Sequence, residues 1–160
     1  MDRYPLLFGF RDLVAGRGFL AVVAVDGRAL LVHEEENGYW MHGINPGGLT
    51  ASGVDAGEAQ RAFRETYRKV LFEIAEGASG FEDFKAEVEA FFGETNTGLL
   101  PEWQEAVRDV RAGRVEADWL RRIDSRPAPH IHVELVAFKD LEPSVNAVDE
   151  EPALAAAVGF

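Results

Sequence analysis

Residues 39–60 read YWMHGINPGGLTASGVDAGEAQ, and the order of residue types in this stretch decides the fold class. Tyr39 to Ile44 alternates aromatic and other residues as a strand does, and Asn45-Pro46-Gly47-Gly48 stops it. A short extended piece follows through Leu49 and Ala51. Asp55 then offers a carboxylate to the start of a helix, with Glu58 three residues on as the second half of a capping box. Ala59, Ala62, Phe63, Tyr67, Val70, Leu71 and Ile74 recur at helical spacing, so an amphipathic helix is expected to run to about Glu76, with Gly77 past its end. Arg61, Glu65 and Lys69 fall on its outer side as i,i+4 partners.

Upstream, Leu6, Phe8 and Phe10 alternate with their neighbours in a short run. Phe19 to Val25 and Ala29 to Glu34 read as two strands, and Asp26-Gly27 between them suits a two-residue type I′ turn, which predicts a hairpin there. Glu35 to Gly38 makes a second, polar turn leading into the strand at Tyr39.

Downstream, Ser79 with Glu82 repeats the capping-box pattern, and Phe81, Phe84, Val88, Phe91 and Phe92 predict a second amphipathic helix. Gly93 and Gly98 mark a loop. Pro101 suits the first turn of a third helix carrying Trp103, Ala106, Val107 and Val110 and ending near Gly113. Val115, Trp119, Leu120 and Ile123 predict a fourth. Trp103 and Trp119 read as core residues rather than exposed anchors, since aromatic side chains dominate cores. Pro127 and Pro129 break the helical pattern, and His130 to Phe138 returns to a strand that completes the sheet.

The expected fold is α+β: a small, mainly antiparallel sheet with a β-β-β-α core and a helical insertion before the last strand. Residues 1–160 form one expected domain, with its core at 1–77 and 128–140, the insertion at 79–124 and an acidic tail at 141–160. The sheet's open edges, and its helices, make a homodimer or higher homo-oligomer the expected state.

With 47 % hydrophobic residues in 160, the chain has the material for a core. Its lack of cysteine excludes disulfides, thiolate metal sites and cysteine nucleophiles. The net charge of -12 argues against direct binding to phosphate backbones and favours basic partners. No apolar run approaches the roughly 20 residues of a membrane span, and the N-terminus lacks signal-peptide regions, so a cytoplasmic location is the expectation.

Pro46, Gly47, Gly53, Glu58 and Ala59, in the setting of residues 29–75, resemble the HicB-like antitoxin family, in which a hairpin reaches a Pro-Gly corner, a short strand ends at Gly, and Glu-Ala opens a helix. The resemblance implies a non-catalytic protein-binding or regulatory module that neutralises a small, basic, toxin-like ribonuclease. Read physically, these residues are structural: Gly47 and Gly53 are expected to permit turn angles, Pro46 to end a strand, and Ala59 to let the helix approach the sheet. The family's C-terminal DNA-binding helices have no counterpart in the acidic tail.

Trp40, Pro46-Gly47-Gly48 and Arg64-Glu65 also look like pieces of the Nudix signature. Spacing and charge oppose that reading. Val54 follows Gly53 where an acid is needed, Ala62 and Phe63 fill the places of the Arg-Glu pair, and Arg68-Lys69 stand where magnesium-binding acids would follow.

No serine sits in a nucleophile elbow and no glycine-rich loop opens a helix, so no catalytic residue, cofactor or metal is expected. The alternative is a small metal-dependent enzyme: His130 and His132, two apart on a strand, face one side, with His42 or His33 as a third ligand. A purely structural, self-associating domain is the remaining reading.

Overall fold

The computed structural model of the protein describes residues 2–115 and 128–136. Among these residues five strands and three helices follow in the order β1 (Asp2–Gly16), β2 (Phe19–Glu34), β3 (Gly38–Asn45), β4 (Thr50–Gly53), α1 (Ala56–Gly77), α2 (Phe81–Gly93), α3 (Leu100–Arg111) and β5 (His130–Leu135). Every strand pair is antiparallel, which makes the protein α+β as the residue pattern predicts.

The first hairpin lies elsewhere than expected. β2 is one continuous strand, and Asp26 and Gly27 lie within it, opposite Gly9 and Phe8 of β1. The turn is at Arg17-Gly18, where Gly18 takes the left-handed φ of 72°. Gly27 serves a different purpose: a Cβ there would overlap the Phe8 ring and lie 2.5 Å from the backbone oxygen of Asn45. An Asp-Gly pair thus marks a close approach inside a strand rather than a reversal.

β1 pairs with β2 along its whole length, and the other edge of β2 is shared. β3 takes Arg28 to Glu34, β5 takes Ala21 to Asp26, and the register slips between Arg28 and Ala29. The turn between β2 and β3 closes through Asn37 N donating to Glu34 O at 3.0 Å, with Gly38 at φ 76°.

Alternation along the strands buries both faces. Leu6, Phe8, Phe10, Val14, Ala21, Val23, Leu31, Met41 and Val133 meet α1 and α2 on one face. There Phe8, Phe10, Phe63 and Tyr67 pack tilted or edge-on, with ring centroids 4.6 to 6.5 Å apart. Leu30, Val32 and Ile44 meet Trp103, Ala106 and Val107 of α3 on the other face. Trp103, 1 % exposed, is the core residue its helical spacing implies. Truncating it or Phe63 to Ala removes a buried aromatic worth about 3–5 kcal/mol.

The helix signals act as follows. Asp55 Oδ1 accepts from Glu58 N at 2.8 Å and caps α1. At α2 the expected Ser79/Glu82 box is replaced: Ser79 N donates to Asp83 Oδ2 at 2.9 Å, and Gly80 is the cap residue. α2 begins one residue later than a Ser79 cap requires, which puts Asp83 rather than Glu82 in reach. Gly77 is the last residue of α1 rather than the first beyond it. The predicted fourth helix around Trp119, Leu120 and Ile123, and the tail at 141–160, lie outside the described residues.

Candidate protein-binding surface

The residues of the Pro-Gly motif hold the turn against the helices. Pro46 follows the end of β3 at Asn45. Gly47 N donates to Glu94 O at 2.8 Å and Asn96 N to Ile44 O at 2.9 Å, which ties the α2–α3 connection to the end of the sheet. Neither Gly47 nor Gly53 has positive φ, so the expectation that they permit turn angles is corrected: both are short of space. A Cβ on Gly47 would come 2.5 Å from Asn96 N, and one on Gly53 would overlap Ala59 N. Ala59, fully buried, lets α1 approach the sheet as its size suggests, and Glu58 stays exposed.

Asn45, 5 % exposed, completes this corner. Its Oδ1 accepts from Arg28 Nε at 3.1 Å and Nη2 at 2.5 Å, and its Nδ2 donates to Thr95 Oγ1 at 2.8 Å. The Arg28 guanidinium also lies 5.3 Å from the centre of the Trp103 ring.

The histidines are spread out. His130 and His132 face the same side of β5, opposite Asp26 and Ala24, and His132 Nε2 lies 3.4 Å from Glu134 Oε2. His42 shares that face of the sheet but sits opposite Leu30, four residues along β2 from Asp26 and so about 13 Å away. Its ring lies 3.3 Å from Thr50 Oγ1, and burial pushes its pKa below the ordinary value against the opposing pull of Glu34 and Glu102. His33 has the parity of Leu31 on the α1 side, stacked on Tyr39 at 4.2 Å and 3.8 Å from Asp2. Among the described residues no three groups of metal-ligating type converge. Among the described residues, no third ligand is brought to a His130/His132 centre.

No family model, curated protein or solved structure matches the chain.

What the surface offers is negative charge. From Glu73 to Glu94 there are seven carboxylates against Lys85 alone, half of the chain's net charge between the end of α1 and the residue that follows α2. All seven are exposed, and none joins an ion pair among the described residues. Glu76 stands in the last turn of α1, which has no basic residue, where the helix dipole disfavours an anion by a few tenths of a kcal/mol. Beside this acidic ridge Phe72 is 44 % exposed. A running count of charge along the sequence was the signal for the ridge; the net charge alone did not locate it.

A second acidic feature is a shallow, open depression of about 540 Å³ between the β2–β3 turn, β4 and the start of α1, lined among others by Glu35, Glu36, Ser52, Val54 and Glu58. Its openness lets water in freely, which suits contact with a cationic side chain better than chemistry that must exclude solvent. No helix among the described residues is long and apolar enough to cross a membrane.

Proposed function

We propose that the protein is a non-catalytic binding or regulatory module whose acidic ridge, Glu73 to Glu94, receives a basic protein partner. The observation that carries this reading is the run of exposed carboxylates on α2 and the end of α1, none of them in an ion pair among the described residues. Fields of one sign steer an oppositely charged partner and raise its association rate, an effect that weakens as salt rises. A small, basic, toxin-like ribonuclease, the partner implied by the resemblance of residues 29–75 to HicB-like antitoxins, has the required charge.

Native mass spectrometry of the purified, untagged chain, with elemental analysis of the same sample, tests the proposal. The expected result is a metal-free species that binds a purified basic partner of this class and releases it with salt. The triple variant Glu82→Lys, Glu87→Lys, Glu89→Lys keeps the far-UV spectrum and loses that binding. Stoichiometric metal in the wild type, or binding indifferent to the three reversals, overturns it. The same spectrum reads subunit number, and with it the proposed homo-oligomer.

A further inference from the structure

β1 is an outer strand, and among the described residues no strand pairs with its far side. Which of its backbone groups face outward follows from the ladder. Val136 N donates to Leu20 O at 2.8 Å, so Leu20 and the even-numbered residues of this half of β2 turn toward β5. The odd-numbered ones turn toward β1. In the observed register, Gly16 opposite Phe19 and Leu6 opposite Ala29, the even-numbered residues of β1 carry the ladder bonds. The odd-numbered residues, Pro5 and Arg11 among them, aim their backbone groups outward.

A strand of 15 residues whose far edge is open among the described residues is a template for another chain. Gly9 is its midpoint, so a two-fold axis there would bring two copies of β1 together in full overlap. Arg3 would then face Ala15 and Arg11 would face Leu7, with no like charges opposed. The side chains alone would allow this pairing.

Three residues work against it. Pro5 has no N–H to give at an outward position. The outward carbonyl of Arg11 accepts from Arg64 Nη2 at 3.4 Å, and the same guanidinium clasps Asp12 at 2.8 and 2.9 Å. Asp12, 3 % exposed, stands on the face where its neighbours Phe10 and Val14 enter the core. Asp12 is thus already covered, and its pairing holds the Arg64 guanidinium over the outward carbonyl of Arg11, where a second strand would have to bond.

We propose that Pro5, Asp12 and Arg64 form an edge guard that keeps β1 from pairing with β1 of a second copy. Oligomers of the native protein would then use surfaces other than this edge.

The test is sedimentation velocity over a dilution series, with amide exchange on β1, for wild type, the double variant Asp12→Leu, Arg64→Leu, and Pro5→Val. Replacing both Asp12 and Arg64 avoids leaving a lone buried charge, since Arg68, the second partner of Asp12 at 3.5 Å, is partly exposed. The double variant is expected to self-associate about tenfold more tightly than wild type, with new protection at the outward amides of Leu7, Gly9 and Leu13. Pro5→Val is expected to shift in the same direction by less. Unchanged association in a cooperatively melting double variant, or tighter association without protection of those amides, overturns the guard. Should the double variant not fold, Pro5→Val decides: no shift from wild type overturns it.

Discussion

Gly27 lies against the ring of Phe8, its register partner across β1 and β2, with no room for a methyl group between them. The second atom in the way is the backbone oxygen of Asn45, which cannot rotate aside. Gly27→Ala is expected to destabilise the protein by about 2 kcal/mol or more in urea unfolding. Gly18→Ala, in open space but at φ 72°, is expected to lose only about 1 kcal/mol. The reverse order would mean that the chain reverses at Asp26-Gly27 after all.

Tyr67 is 1 % exposed, and its hydroxyl has no hydrogen-bond partner among the described residues. Burial, with Asp12 nearby, pushes its pKa far up, so the group stays neutral throughout the accessible range. Tyr67→Phe removes an unsatisfied polar atom and keeps the ring among Phe10 and Phe63. The variant should be unchanged or up to about 1 kcal/mol more stable. A loss of that size would show that the hydroxyl is satisfied in solution.

His42 titrates below its ordinary value of 6.5 in the folded chain because its ring is partly withdrawn from water. The unfolded state therefore binds the proton more readily, and stability present above pH 6.5 is lost as pH falls through the folded pKa. His42→Gln removes this contribution. The fall in urea midpoint between pH 8 and pH 5.5 should be smaller in the variant, and an equal fall in both proteins would contradict the assignment.

Asn45→Ala cuts the link from Arg28 to Thr95. The expected cost is about 1–3 kcal/mol, with faster amide exchange at Gly47 and Asn96, whose bonds cross the same corner. A stability loss without faster exchange there would place the effect elsewhere.

The helices were legible because their signals are local. The Asp55 cap, the 3.6-residue spacing of Phe63, Tyr67 and Leu71, and Pro101 at the start of α3 each act within a turn or two of chain. β1 was legible only at Leu6, Phe8 and Phe10. Pro5 and Asp12 interrupt its pattern, and each has a reason that local spacing does not carry: an outer edge for Pro5, and for Asp12 an arginine 52 residues away. The two faces of the sheet were likewise hidden. Periodicity shows that α2 and α3 each have an apolar side, but not that one lies beside α1 and the other on the opposite face. The pair His130 and His132 was placed on one face correctly, while their distance from His42 depended on a pairing order that spacing does not contain.

The shared edge of β2 also bears on how the nascent chain assembles. β1, β2, β3, β4 and α1 meet through contacts between neighbouring segments, so they can associate once the first eighty or so residues have left the ribosome. Asp26, by contrast, waits for His130, more than a hundred residues later in translation. Until β5 arrives, the half-edge from Ala21 to Asp26 is a vacant seat beside a completed neighbour, and pairing between segments this far apart in sequence is the kind that topology slows.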